Sequence, residues 1–286
     1  MWTRASRSRM ADLEKRAKRY PTDLTDEEWA IVRSFLPAPP KRGRKPSTDL
    51  REVLNALRYL ARSGGGWRML PKDFPPGRRS TGGSGALCDG CCSARSMTWR
   101  SCSTVNRRVA SRARARPSST ASRSRHPWLK SAALNAAKKV VGRKRHIAVD
   151  TDGRLLMVNL TTADISDSAG AQSIVGSIRK RWPWLKHLFA DGAYDRTKLM
   201  DAVGYRDFVL EIVRRSDAEP GFKVLPRRWV VERTFGWMTR WRRLVRDYEQ
   251  RLDVSEAMIH LALGSLLLRR IPPSPLTILK RTLRRP

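Results

Sequence analysis

The sequence predicts an α/β protein in which a mixed sheet with flanking helices follows a small helical domain. Apolar residues recur at helical spacing within residues 20–76, and short β-type runs alternate with helical patterns from residue 134 onward. Residues 77–133, between these parts, follow neither pattern. A chain of 286 residues suffices for one mid-sized domain and one small domain.

The chain carries a large positive charge. It has 59 Lys and Arg residues against 26 Asp and Glu residues, a formal net charge of +33. Such an excess indicates a polyanionic partner. The basic residues are interleaved with Trp, which favours nucleic acid over a membrane. The longest apolar run, 257–268, is shorter than the roughly 20 residues that a membrane-spanning helix needs.

The N-terminal part predicts two capped helices after a basic arm over residues 1–19. Thr25 and Glu28 have the spacing of a capping box, and Asp49 with Glu52 opens a second helix. A glycine run beginning at Gly64 ends that second helix.

The loop between the two helices is basic. With an expected third helix, residues 20–76 therefore resemble a helix-turn-helix DNA-binding domain, and a generic helical cap is the alternative. The loop residues expected to bind DNA are Lys41, Arg42, Arg44 and Lys45.

Residues 77–133 have an anomalous composition. They include twelve basic residues, twelve serines and a single acid, Asp89, with no Ile, Phe, Tyr or Glu. Such a segment cannot bury enough apolar surface to offset its conformational entropy, so we expect disorder or a basic linker. Its four cysteines, two of them spaced Cys-x-x-Cys, leave a zinc site as a further alternative.

Residues 134–271 read as an ordinary globular domain. Two apolar runs on either side of Asp152-Gly153 predict a hairpin. The order of hairpin, helix, strand ending in Asp, strand and two helices is that of the second part of an RNase H-like domain, whose first strand is unaccounted for. The predicted elements are runs 145–150 and 155–160, helix 166–181, strands 185–190 and 208–213, and helices 228–248 and 253–270.

Two carboxylates stand out as candidates for chemistry. Asp191 follows a buried strand that breaks at Gly192, which places its carboxylate at a sheet edge facing a crevice. Glu232 lies among apolar residues of a predicted helix and needs a partner there, whether a metal ion, water or an arginine such as Arg228 or Arg233. Carboxylates from separate elements can hold the divalent metals of phosphodiester chemistry.

Three long segments resemble motifs of bacterial transposases of the insertion-sequence-five group. They are Gly142-Arg-Lys-Arg-His-Ile-Ala-Val-Asp150, Phe189-Ala-Asp-Gly-Ala-Tyr194 and Leu225-Pro-Arg-Arg-Trp-Val-Val-Glu-Arg-Thr-Phe-Gly-Trp237. Segments 20–29 and 67–75 are also similar to the N-terminal region of that family. The resemblance covers about residues 20–76 and 135–271.

The resemblance implies an RNase H-like transposase of the class with two catalytic aspartates and one glutamate (DDE). Asp191 would be its second metal-binding carboxylate, Glu232 the third, and Arg228 the arginine that precedes the glutamate. Mg²⁺ or Mn²⁺ would be the cofactor. The partner would be double-stranded DNA, both terminal inverted repeats and target, bound by a homo-oligomer. Thr239 stands where the family often has a basic residue, with Arg240 adjacent.

Other basic residues are expected to bind DNA with the loop. No membrane partner is expected, and a bacterial, nucleoid-associated protein of the cytoplasm follows from the charge and the resemblance. The further residues expected to bind DNA are Arg143, Lys144, Arg145, Arg233, Arg240 and Arg243.

The first carboxylate of the family is missing. The family places it in a strand reading approximately Ile-Asp-Ser-Gln-Ser, yet no Asp or Glu occurs between Asp89 and Asp150. The codons ATC GAC AGC CAG TCx, read one base later, encode Ser-Thr-Ala-Ser, the sequence of residues 119–122. Codons for Trp-Ser-Thr-Val-Tyr shifted the same way give Gly-Arg-Arg-Ser, the sequence of residues 77–80. We therefore hypothesise a shifted reading frame over residues 77–133.

Three functions remain open on these grounds. The first is a DNA transposase, an enzyme that cleaves and transfers DNA strands with metal ions. This chain is expected to be inactive, because the first aspartate is absent and the catalytic domain lacks its first strand. Alternatively it is a non-catalytic DNA-binding relative, or a non-functional relic. A basic tail over residues 272–286 ends the chain.

Overall fold

The computed structural model describes residues 19–36, 49–75, 142–207, 209–214 and 228–270, together with the backbone of 118–125, 133–135, 140–141 and 226–227. The helices are α1 (Asp26–Arg33), α2 (Leu50–Ser63), α3 (Asp167–Arg181), α4 (Thr197–Gly204), α5 (Pro226–Thr239), α6 (Arg242–Val245) and α7 (Leu252–Leu268). The strands are β1 (Ser118–Arg125), β2 (Ala133–Asn135), β3 (Val140–Val149), β4 (Leu155–Thr162), β5 (His187–Asp191) and β6 (Val209–Val213). Short 3₁₀ turns occupy Trp67–Met69 and Gly192–Tyr194.

The two N-terminal helices begin where the sequence predicts, and α2 also ends where it predicts. The Thr25 hydroxyl caps α1 by accepting from Glu28 N. The Thr25 backbone N–H donates to the Glu28 carboxylate, which completes the capping box. Asp49 caps α2 by accepting from Arg51 N. Gly64 ends α2 with φ 76°, a left-handed conformation that glycine adopts without strain. The third helix was expected in a segment outside the described residues.

The strands form one mixed sheet in the order β4-β3-β1-β5-β6, with β2 paired to the beginning of β3. β3 runs antiparallel to both β1 and β4, whereas β1, β5 and β6 are parallel. The predicted hairpin is confirmed: Gly153, with φ 78°, lies in the turn between β3 and β4. The predicted α/β class is confirmed as well.

The expectation that the sheet lacks its first strand is contradicted at the level of the backbone. β1 lies between β3 and β5 and pairs with β3 from Ser118 opposite Val149 to Arg125 opposite Gly142. Main-chain hydrogen bonds do not depend on side-chain type, so a segment of foreign composition can fill the gap between two strand edges.

The single helix predicted over residues 228–248 is divided in two. α5 ends at Thr239, and Trp241 adopts an extended conformation, φ −98° and ψ 103°, before α6 begins. Trp241 is buried in the core, so packing of its indole ring outweighs continuation of the helix.

The sheet is covered on both faces by separate apolar clusters. On one face, Ile147 and Val149 pack with residues of α2, α5 and α7. On the other, Ala148 packs with α3 and α4. The N-terminal helices thus share a core with the sheet rather than forming a separate hydrophobic unit. No helix in the described part of the chain is long and apolar enough to cross a membrane.

Candidate active site

Asp191 is the last residue of β5 and faces the side of the sheet that carries α5. Leu188 and Ala190 belong to the cluster under α3 and α4, and residues alternate between faces along a strand. Asp191 therefore faces away from that cluster. Its side chain makes no capping hydrogen bond to the 3₁₀ turn that follows.

Glu232 projects from the flank of α5. Val231, Thr234 and Met238 form the buried face of this helix, whereas the Glu232 side chain is 46% exposed. Arg228, one turn earlier, lies with its Nε 2.9 Å from Glu232 Oε1. Of the partners expected for Glu232, the structure shows the arginine Arg228, and the side chain also reaches solvent.

The pairing of β1 with β5 defines which backbone position lies beside Asp191. Ser118 pairs with Phe189 and Ser119 with Ala190, so the next position in register with Asp191 is residue 120. Residue 120 also pairs with Ile147 of β3, which belongs to the cluster on the α5 face. Position 120 therefore shares a face with Asp191, and the residue there is Thr120.

The donor set at this edge is incomplete for the metal ions that the resemblance implies. Asp191 and Glu232 supply carboxylates, and no group of three His, Cys, Asp or Glu side chains suited to a metal lies within the described ranges. Divalent-ion affinity depends on ligand charge and geometry. The residues present thus fit a two-metal site only in part, one carboxylate short.

Asp150 does not replace the missing carboxylate. It is fully buried at the β3–β4 turn, where its Oδ1 accepts hydrogen bonds from the backbone N–H groups of Asp152 (3.0 Å) and Arg154 (2.7 Å). Its neighbour Val149 pairs with Ser118, so Asp150 lies beyond the end of β1, away from position 120. Burial raises the pKa of Asp150 to about 6, an effect that its backbone hydrogen bonds partly offset.

Comparison with known families decides the identity of this arrangement. Residues 112–267, more than half of the chain, match the family described as "Transposase DDE domain". The chain belongs to the DDE transposases. Residues 24–81 also match a domain provisionally assigned to transposases of the IS4/5 family, so the insertion-sequence resemblance is confirmed. The first match begins within the anomalous segment 77–133 and includes β1.

Two relatives agree with this assignment. A protein of Burkholderia cepacia, provisionally described as the transposase for insertion sequence element IS402, is 30% identical over 128 residues, which are 42% of this chain and 60% of that protein. An uncharacterized protein, y4sN, of Sinorhizobium fredii is 47% identical over 49 residues, 17% of this chain and 39% of the relative. The chain therefore spans less than two thirds of either relative.

Three residues of the transposase that were predicted to bind DNA lie in the interior. Arg143 is completely buried, and its Nη1 lies 3.1 Å from Asp247 Oδ2. Lys144 pairs with Asp167 at 3.1 Å, and Arg145 donates to Leu244 O at 2.6 Å. β3 runs between two other strands and both of its faces are covered, so these cations form ion pairs and hydrogen bonds inside the protein. This burial contradicts the prediction that they bind DNA phosphates.

The remaining predicted DNA contacts separate by exposure. Arg243 is buried and bonds Glu249 Oε1 and Gly65 O, both at 2.6 Å, so the prediction for it is contradicted too. Arg240 is exposed, whereas Arg233 is partly buried against aromatic rings. The four loop residues Lys41, Arg42, Arg44 and Lys45 lie outside the described residues.

Sequence reasoning missed a row of aromatic and cationic side chains on α5. Trp229, Arg233 and Trp237 recur at every fourth position, which places them on one stripe of a helix. Tryptophan is a side chain that proteins usually bury, yet Trp229 is 43% exposed. The regular spacing of Trp and Arg was the available signal.

Proposed function

We propose that this transposase binds the double-stranded ends of an insertion element but does not cleave them, because its first metal-binding carboxylate is absent. The observation that carries the proposal is the register that aligns position 120 with Asp191. That position lies beside Asp191 in the sheet, where the first carboxylate of the site would stand, and it holds a threonine.

The chemistry explains why one missing carboxylate matters. Strand cleavage in this class uses divalent ions, which activate the attacking oxygen and stabilise the leaving oxygen. The residues that would hold them are Asp191 and Glu232. Threonine contributes no negative charge at neutral pH, so the affinity for a divalent ion falls with the ligand charge. Arg228 holds Glu232 in place from one turn away.

The reading-frame hypothesis independently supports position 120 as the place of the missing aspartate. In the shifted frame the aspartate codon overlaps the codons of Ser119 and Thr120. The strand register favours Thr120, because Ser119 pairs with Ala190, which faces the opposite side of the sheet. The strand order, with β1 between the hairpin and β5, is consistent with an RNase H-like domain.

A cleavage assay with the full chain tests the proposal. The substrate is a duplex taken from the DNA that borders the gene, incubated with Mn²⁺. We expect no nicking by the native chain and metal-dependent nicking by Thr120→Asp, with Thr120→Asn inactive because it adds no charge. Metal-dependent nicking by the native chain that Asp191→Asn abolishes would contradict the proposal.

DNA binding without cleavage separates this function from that of a non-functional relic. The large net charge predicts an affinity that falls steeply with salt. Recognition of the terminal repeats, capture of target DNA and assembly into a homo-oligomer belong to the same proposal. A chain that binds a border duplex no better than an unrelated duplex at every salt concentration favours the relic.

A further inference from the structure

A small cavity lies beside β1 on the face of the sheet that α3 and α4 cover. Ala148 of β3 and Ala190 of β5 line it, together with Ile174 and Val175 of α3. Both alanines pair with position 119 of β1, so this position lies between two walls of the cavity. A branched aliphatic side chain there would be surrounded by apolar atoms, whereas the sequence supplies Ser119.

Polar atoms on the wall of this cavity lack partners. His146 Nδ1 and Tyr194 Oη, both buried, make no hydrogen bond within the described ranges. Position 121 of β1 pairs with His146 and lies two residues from position 119, hence on the same face of the sheet. A hydroxyl at position 121 would offer a hydrogen bond to this face, which Ala121 cannot.

The opposite face shows a similar deficit beside position 122. This position pairs with Arg145, whose Nη1 donates to Leu244 O at 2.6 Å. Nε and Nη2 of the same guanidinium have no partner in the part of the chain that the structure describes. Because Arg145 is buried, each unpaired N–H group is destabilising. A long side chain with a carbonyl oxygen would be a better acceptor at this position than Ser122.

These neighbours define the strand that fits best between β3 and β5. It has an aliphatic residue at position 119, a carboxylate beside Asp191 at position 120, a hydroxyl at 121 and an amide oxygen at 122. The same order, Ile-Asp-Ser-Gln, is the one whose shifted codons give the sequence of residues 119–122. The β1 of this chain, Ser-Ser-Thr-Ala-Ser-Arg-Ser-Arg, differs from that order at all four positions.

We propose that the space between β3 and β5 is a binding site for an extended strand with this order of side chains, supplied by a second polypeptide and replacing β1. Such a strand makes the same main-chain hydrogen bonds as β1, since these do not depend on side-chain type. It adds the apolar contacts of the cavity and hydrogen bonds to His146 and Arg145. The inference rests on the proposed function only for the carboxylate at position 120.

Competition with β1 decides whether the second strand binds. β1 has the advantage of a covalent connection, which gives it a high effective concentration at the site. Its sequence is nevertheless poorly suited to the place, because a central strand that is covered on both faces is usually apolar. Burial of one aliphatic side chain raises an affinity by about tenfold or more, which favours the incoming strand.

Binding of a labelled peptide to the full chain tests the proposal. The probe is a fluorescent peptide of eight residues, as long as β1, with the sequence Val-Ile-Asp-Ser-Gln-Thr-Thr-Thr. The control peptide, Val-Asp-Ile-Ser-Gln-Thr-Thr-Thr, exchanges Ile and Asp and thereby the faces on which they lie. Both peptides have the same charge, so attraction to the basic chain contributes equally. We expect fluorescence anisotropy to show saturable binding of the probe, at least about tenfold tighter than that of the control.

Hydrogen exchange locates the bound strand. The probe should accelerate exchange at the backbone amides of residues 118–125, which it displaces, and leave residues 142–149 and 187–191 protected. Ser119→Ile gives β1 its own aliphatic residue and should weaken binding of the probe by about tenfold. Gln172→Ala alters an exposed side chain of α3 and should leave the affinity unchanged.

Three results would overturn the proposal. These are no saturable binding of the probe, equal affinities for the two peptides, or binding that leaves exchange at residues 118–125 unchanged. Failure of the proposed function would appear separately. The probe would then bind, yet the complex would hold Mn²⁺ no more tightly than the chain alone, and replacing the Asp of the probe by Asn would not change the affinity for the metal.

Discussion

Arg143 of β3 and Asp247, which lies between α6 and α7, form a buried ion pair with Nη1 and Oδ2 3.1 Å apart. Asp247 also accepts a hydrogen bond from Ser255 Oγ at 2.8 Å, and Arg143 donates to Glu249 O. The pair therefore fixes the C-terminal helices against the sheet.

Removal of Arg143 should leave the buried Asp247 carboxylate without its ion-pair partner. We expect Arg143→Ala to lower the free energy of unfolding by about 3–5 kcal/mol, as measured by denaturant titration. Arg251→Ala, which breaks an exposed pair with Asp253, should cost less than about 1 kcal/mol. Similar losses in the two variants would contradict the structural role assigned to Arg143.

Gly153 fits the β3–β4 turn closely against α5. A Cβ at this position would lie 2.7 Å from Thr234 Oγ1 and 3.0 Å from Trp237, and the backbone already has φ 78°. Gly153→Ala should destabilise the fold by about 1–3 kcal/mol. Gly204→Ala is the control, because nothing lies within 4 Å of its Cβ position. A thermal melt in which the two variants unfold at the same temperature would refute the close contact.

Asp150 should make stability depend on pH in a defined direction. Its pKa is raised from 3.8 to about 6 in the folded chain, chiefly by burial. The folded state then binds more protons than the unfolded state between these values, so the charged carboxylate destabilises the chain above pH 6 and this effect disappears as the pH falls toward 4. The free energy of unfolding of Asp150→Asn, relative to that of the native chain, should therefore be up to about 3 kcal/mol greater at pH 8 than at pH 4. A gain that is independent of pH would contradict this account.

His146 should make the stability of the chain depend on pH in the direction opposite to that of Asp150. It is fully buried, its Nε2 lies 2.8 Å from Thr161 Oγ1, and burial lowers its pKa from 6.5 to about 4. Below pH 6.5 the unfolded chain binds a proton that the folded chain does not, so stability falls between pH 6.5 and 4. His146→Gln should remove about 3 kcal/mol of that dependence. An identical pH profile in the variant would show that another group is responsible.

Local signals predicted much of the fold. The capping box of Thr25, the hairpin glycine Gly153 and the strand that ends at Asp191 each depend on neighbouring residues, and each is found where expected. Basic residues of β3 were misread because a sequence does not show that a strand has neighbours on both sides. The same holds for β1, whose place depends on two distant strand edges rather than on its own composition.

The candidate site could be predicted only in part. Asp191 and Glu232 stand in long motifs that the sequence displays, whereas the contact of Arg270 with the ring of Trp237 depends on how the chain folds. On the reading-frame hypothesis the missing carboxylate belongs at residue 119 or 120. The strand register, which is not visible in the sequence, favours residue 120.

Binding of Mn²⁺ to the full chain tests, without relying on cleavage, the claim that the missing carboxylate belongs at position 120. Isothermal titration of Thr120→Asp should give binding at least about tenfold tighter than that of the native chain, because ligand charge governs divalent-ion affinity. Adding Asp191→Asn to that variant should abolish the gain, and Ser119→Asp, on the opposite face of the sheet, should not produce it. Equal Mn²⁺ affinity in Thr120→Asp and the native chain would contradict the claim that position 120 is the vacant carboxylate position.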